Sequence, residues 1–157
     1  MSNLFAIKNH NQISLTNAWN MINWDLVKIL SDDLKSEWKS GAQVFICGNG
    51  GSANHLANDT GYENIFPKQL IALANANDIL IVFSGSGNSP NVFEGVRMAK
   101  TLGMKTHAIL GFDGGKCKEL ADNPIHTPID NMHVTEDFQM MIGHILILYL
   151  KRKTENE

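Results

Sequence analysis

Two compact apolar runs, Val44-Phe45-Ile46-Cys47 and Ile79-Leu80-Ile81-Val82-Phe83, each end in a turn of glycines and small polar residues. No other feature of the chain restricts its fold as strongly. Runs rich in β-branched and aromatic residues, with no polar alternation, read as strands buried on both faces, and such strands belong to parallel sheets. The turns are Gly48-Asn49-Gly50-Gly51-Ser52 and Ser84-Gly85-Ser86-Gly87-Asn88-Ser89. A strand that ends this way presents bare backbone N–H groups where the next helix begins. That is an anion cradle, and phosphate is its usual guest. Two of them predict a phosphorylated ligand held from two sides.

The rest of the chain supplies helices for such a sheet. From about Leu15 to Trp38, Trp19, Ile22, Leu26, Ile29, Leu30 and Leu34 recur at helical spacing, predicting one long amphipathic helix or two over about 15–40. The polar, Asn-rich stretch before it reads as an arm or a frayed helix start. Trp19, Trp24 and Trp38 exceed what one face against a small sheet needs, so part of this segment is expected to meet another subunit. Phe66–Asn75 reads as a helix. Asn88, Ser89 and Pro90 then signal a helix start, with a side-chain cap and a proline in the first turn, running to about Leu102. A third strand is predicted over Lys105–Leu110, a short helix over 116–121, a short strand over Ile125–Ile129 and a last helix over about Thr135–Lys151. Alternating strands and helices predict an α/β three-layer sandwich, a mostly parallel sheet flanked by helices.

Length and composition bound the function. The 157 residues suit a single domain, and 43% hydrophobic with 18% charged residues argues against disorder. A net charge of −3 supplies no basic field for nucleic acid or anionic lipid. The apolar run at 145–150 is too short to span a bilayer and the N-terminus has no secretory pattern, so a cytoplasmic protein is expected. Cys47 and Cys117 lack CxxC spacing; Cys47 is expected inside a strand, and Cys117, beside lysines, nearer the surface.

Gly48-Asn49-Gly50-Gly51-Ser52-Ala53 also satisfies a dinucleotide fingerprint. The next strand, however, ends in Ser84-Gly85-Ser86 and not in the acidic residue that a ribose requires, so no nucleotide cofactor is expected. Ser84, Ser86 and Ser89 can donate three hydroxyls to one phosphate at a helix N-terminus, whereas simple capping would use only one of them.

With GNGGS at 48–52, NDTGYENIF at 58–66, SGSGNSPN at 84–91, GGKCKELAD at 114–122 and EDFQMMIGHILI at 136–147, the chain resembles the SIS (sugar isomerase) domain family. Within it, the likeness is to the phosphoheptose isomerase subgroup. The resemblance implies a flavodoxin-like fold and an aldose–ketose isomerase acting on sedoheptulose 7-phosphate. By position it implies substrate contacts at Asn49, Gly50, Gly51, Ser52, Asn58, Asp59, Ser84, Gly85, Ser86 and Ser89, with Gly85 where close relatives often carry threonine. His144 matches the catalytic histidine of the last helix. Glu136 stands where the family usually has a glutamine that contacts metal and substrate. A divalent metal, often zinc, is implied near His55, Glu136 and His144, and the assembly implied is a homotetramer, a dimer of dimers with sites shared between subunits. The same domain also occurs in non-catalytic sugar-phosphate sensors and in a regulator that binds the replication initiator, the alternative reading.

One departure is large. After GNGGS, relatives normally carry a helix with a histidine and a catalytic glutamate at i, i+4, then a further strand. Here GNGGSAN runs almost directly into HLANDTGYENIF, leaving out about thirty residues, the size of a βαβ crossover segment. The sheet is therefore open to the loss of one strand. His55 and Asp59 share i, i+4 spacing and could stand in for the missing pair, at the cost of the place of Asp59 in the Asn-Asp pair. Glu136 and His144 lie eight residues apart on one helix, about 12 Å along its axis, so a joint metal site requires both side chains to lean. His107, His126 and His133 show no ligand spacing and are expected to be structural or exposed.

Overall fold

The computed structural model describes residues 2–49, 57 and 60–154. Helix α1 (Ser2–Met21) and helix α2 (Trp24–Ser40) precede strand β1 (Val44–Gly48). A 3-10 turn (Tyr62–Asn64) leads into α3 (Ile65–Leu73) and β2 (Ile79–Ser84). Then follow α4 (Pro90–Thr101), β3 (Lys105–Leu110), α5 (Gly115–Leu120), β4 (Asn123–His126) and α6 (Met132–Thr154). The N-terminal helical segment is two helices because Asn23 breaks it: its side chain accepts from the Asp25 N–H, a cap that starts α2 afresh. Gly41, at φ 83°, ends α2 in the left-handed conformation that glycine adopts freely. The stretch before Leu15 is not an arm; α1 runs through it from Ser2.

Among the described residues the strands form one parallel sheet in the order β1-β2-β3-β4. Register is continuous, with Val44 opposite Ile79, Ile79 opposite Lys105 and His107 opposite Asn123. Alternate residues of each strand feed two cores. Leu80, Val82, Ala108 and Leu110 pack with Leu70 of α3, Val92 and Val96 of α4 and Cys117 of α5. Ile79, Ile81, Ile109 and Ile125 pack on the other face with Ala18 of α1, Leu30 of α2 and Phe138 and Ile142 of α6. Helices α3, α4 and α5 cover one face in succession, as same-handed crossovers produce when strand order advances in one direction. The three predicted layers are present. Asp78, buried before β2, accepts the N–H groups of Gln43 and Asn75 at 2.7 and 2.8 Å and so ties the starts of β1 and β2 together.

Both cysteines are buried, which corrects the expectation for Cys117. Burial pushes the Cys47 thiol up to about 12 and the Cys117 thiol up to about 11, so neither forms a thiolate near neutrality. No helix among the described residues is long and apolar enough to cross a membrane.

Candidate active site

The C-terminal ends of β1 and β2 open onto a cavity of about 640 Å³, where ligands of open α/β sheets bind. One wall is backbone and small side chains: Gly48, Asn49, Ser84, Gly85, Ser86 and Ser89. The opposite wall is α6, which contributes Met132, Glu136, Gln139 and Met140, and Ile46 and Phe83 complete the lining.

The second turn is built to hold its shape without a ligand. Ser84 Oγ accepts the Gly87 N–H at 3.1 Å and Ser86 Oγ accepts the Asn88 N–H at 3.2 Å. Each hydroxyl keeps its proton to donate. Gly87 has φ 65°, and a Cβ there would stand 1.9 Å from the Gly114 carbonyl oxygen. Its own carbonyl accepts the Cys117 N–H, and Asn88 Oδ1 accepts the Lys116 N–H, which staple the turn to the β3–α5 loop. Ser89 occupies the N-cap position of α4, but its hydroxyl makes no capping bond, nor does Asn88 supply one. That differs from the side-chain cap expected there, and the Ser89 hydroxyl is not consumed by the helix. The Ser89 carbonyl accepts the Phe93 N–H instead.

The first turn is described only to Asn49. Its Oδ1 accepts from Asn91 Nδ2 at 2.5 Å and from Tyr62 Oη at 3.1 Å. Gly50, Gly51, Ser52, His55, Asn58 and Asp59 lie outside the described residues. At Gly85 a Cβ would stand 2.5 Å from Met132 Sδ, so methionine fills the space that a threonine side chain would need.

Helix α6 carries the titratable groups. Glu136 lines the cavity, and Gln139, one turn on, lines it too while donating Nε2–H to the Ile109 carbonyl at 3.0 Å. The glutamine that the resemblance expects at 136 is thus a glutamate, with a glutamine three residues further along in the same wall. His144 is exposed and does not line the cavity. Among the described residues no three His, Cys, Asp or Glu side chains group closely enough to hold a metal. The described residues therefore do not by themselves form the set of His55, Glu136 and His144. His126 lies beside the site as a structural residue, its Nε2 3.0 Å from the Phe112 carbonyl oxygen, and His133 is exposed. Sequence reasoning missed Met132, Met140 and Gln139. The four-residue spacing of Met132, Glu136 and Met140, which puts them on one helical face, is the signal that could have found the methionines.

A smaller apolar groove of about 230 Å³ between α2 and α6, bordered by Trp24, Val27 and Leu146, contains none of the residues of the two turns.

The model of the SIS domain family matches residues 53–111. A phosphoheptose isomerase of Helicobacter pylori strain P12 is 34% identical over 159 aligned positions, covering 80% of this chain and 81% of that protein. The chain belongs to the phosphoheptose isomerase family. A second family member, from Cytophaga hutchinsonii, is 34% identical over 155 positions, covering 78% of this chain and 81% of its own length. The solved phosphoheptose isomerase of Francisella tularensis superposes with a TM-score of 0.87 at 25% identity, covering 97% of this chain and 100% of that one. The alignment to the Helicobacter pylori relative also measures the departure. Its 159 positions use 80% of 157 residues, about 126, so about 33 positions stand opposite gaps in this chain. That matches the shortfall of about thirty residues read from the sequence after the first turn.

Proposed function

We infer that this chain is a phosphosugar isomerase that interconverts sedoheptulose 7-phosphate and D-glycero-D-manno-heptose 7-phosphate. The observation that carries this reading is a preshaped serine turn at a helix N-terminus, facing a carboxylate across one cavity, in a member of the phosphoheptose isomerase family. Ser84, Ser86, Ser89 and the first N–H groups of α4 hold the phosphate. Asn49, with Gly50, Gly51, Ser52, Asn58 and Asp59, takes hydroxyls of the sugar.

Aldose–ketose isomerisation removes a proton from C1 of the ketose. The released pair forms the C1–C2 double bond of an enediol while the carbonyl oxygen at C2 takes up a proton. Collapse from the C1 oxygen then places a proton on C2 and leaves the aldehyde at C1. A carboxylate and an imidazole suit these transfers because both can be tuned toward neutrality. Glu136 is the carboxylate in the cavity wall, and we assign it the carbon-bound proton. His144 moves the proton between the oxygens in the assembled protein, where α6 of one copy meets another. The exposed Met140, Ile147 and Leu148 on α6 and Ile7 and Ile13 on α1 support pairing of copies, and a homotetramer is proposed. No step here passes through a metal. A divalent cation such as zinc is proposed only with His55, Glu136 and His144 together as its ligands, and metal analysis of the purified chain against His55→Ala tests it.

Incubation with sedoheptulose 7-phosphate should yield the aldose phosphate, and Glu136→Gln should lower turnover by about a hundredfold or more while phosphate still binds. Equal turnover by Glu136→Gln would remove that residue from the chemistry.

A further inference from the structure

We propose that Asn91 is a positioning residue for substrate, acting through Asn49; the inference rests on the isomerase reading above. Asn91 is the second residue of α4 and is fully buried, although asparagine seldom is. Its side chain does not serve its own helix. It reaches across 42 residues of sequence to donate Nδ2–H to Asn49 Oδ1 at 2.5 Å, and Tyr62 Oη donates to the same oxygen at 3.1 Å. Asn91 Oδ1 has no partner among the described residues. Among the described residues, the one hydrogen bond of this buried side chain thus runs to the cavity-lining Asn49, which places the Asn91 amide to hold that residue.

The consequence for Asn49 follows from amide chemistry. An asparagine side chain has one acceptor oxygen and one NH₂ donor on opposite sides of a planar group. With two donors on its oxygen, the amide of Asn49 is fixed in one of its two flips. The NH₂ then points away from Asn91 and Tyr62, and Asn49 lines the cavity. Asn49 is thereby set to donate to an acceptor oxygen of the bound sugar, the carbonyl or a hydroxyl, and not to accept from one. The serine turn selects phosphate; the Asn91–Asn49–Tyr62 link selects the sugar attached to it.

This separation gives the test. Dissociation constants for sedoheptulose 7-phosphate and for inorganic phosphate are measured by calorimetry on wild type, Asn91→Ala, Asn91→Asp and Tyr62→Phe, at a temperature where melting curves show each folded. Tyr62 is exposed, so Tyr62→Phe keeps the test available should a change at Asn91 unfold the chain. Asn91→Ala is expected to weaken sugar-phosphate binding about tenfold and Tyr62→Phe about threefold, with phosphate binding changed less than about twofold. Asn91→Asp replaces the donor by an acceptor and should weaken the sugar phosphate at least as much as Asn91→Ala. Unchanged sugar-phosphate affinity in the folded variants overturns the inference alone, as does an equal loss for both ligands, which marks general collapse of the turn. A wild type that binds sedoheptulose 7-phosphate no better than phosphate overturns the isomerase reading as well.

Discussion

Gly87 shows how closely a single residue can decide the site. Its positive φ alone would strain most side chains, and the Gly114 carbonyl oxygen occupies the place where a Cβ would go. Gly87→Ala must therefore push the β2–α4 turn off the β3–α5 loop. A loss of about 2–4 kcal/mol in urea unfolding is expected, together with loss of phosphate binding. Retention of both would show that the staple between the two loops is dispensable. The serine hydroxyls, by contrast, are supported by backbone N–H groups of their own turn, so they stay in position at little entropic cost when ligand arrives.

Between elements, the most informative contact is the one that joins α2 to β3. His107 on β3 is fully buried, with Asp33 Oδ2 of α2 3.2 Å from its Nε2. Lys105, two residues earlier, pairs with Asp33 and Glu37 of the same helix at 2.9 and 2.8 Å. Burial pushes the His107 imidazole below its ordinary value; the nearby Asp33 and Asp122 carboxylates oppose this, and Lys105 reinforces it. The folded state thus holds His107 neutral, while the unfolded chain takes up the proton near the ordinary value of 6.5. The contribution of His107 to stability is complete above that pH and falls as the pH drops from there through the lower folded value, by up to about 1.4 kcal/mol per pH unit within that window. Glu37, held low by its hydrogen bond to Lys105, loses its share only below about 4.5. Urea midpoints should therefore fall between pH 7 and pH 5 in wild type and change less in His107→Gln. Identical profiles would assign the pH dependence to other groups.

Elements were legible in the sequence where one local pattern sufficed. The runs that became β1 and β2 are continuous and apolar, β3 ends in the apolar Ala108-Ile109-Leu110, and each of the three strands lies within one residue of its expected bounds. β4 lies at Asn123–His126 and not at the predicted 125–129, because its limits come from pairing: His107 opposite Asn123 starts the strand two residues earlier. Helix α1 extends further toward the N-terminus than its apolar spacing predicts, since its Asn-rich first half lacks periodicity and the helix is anchored in the core beside α6 through Ala18, with Ile22 just past its end. The last helix starts at Met132, where Asn131 supplies Oδ1 to the Val134 N–H. At the site, the two turns could be read from glycine and serine spacing alone. The link between Asn91 and Asn49 could not, because it exists only after the crossover brings the start of α4 beside the end of β1.

Over the whole molecule, the family relationship and the shortening have to be held together. The chain keeps the fold of its relatives, while about 33 positions of the alignment to the Helicobacter pylori phosphoheptose isomerase have no counterpart here. The resemblance assigns the usual catalytic glutamate to the absent stretch, which leaves Glu136 as the described carboxylate in the cavity wall. Exposed apolar residues on α1 and α6 support association, and for the proposed homotetramer light scattering should give four times the 17.4 kDa of one chain. Ile147→Asp should shift that mass downward, and a monomeric wild type would leave those faces unexplained. On the proposed function, the shortened chain still performs the isomerisation. Nuclear magnetic resonance of sedoheptulose 7-phosphate in D₂O with the purified wild-type chain tests it most directly. An aldose 7-phosphate carrying solvent deuterium at C2 is expected; a ketose that stays unchanged, while its phosphate is demonstrably bound, would rule the isomerisation out.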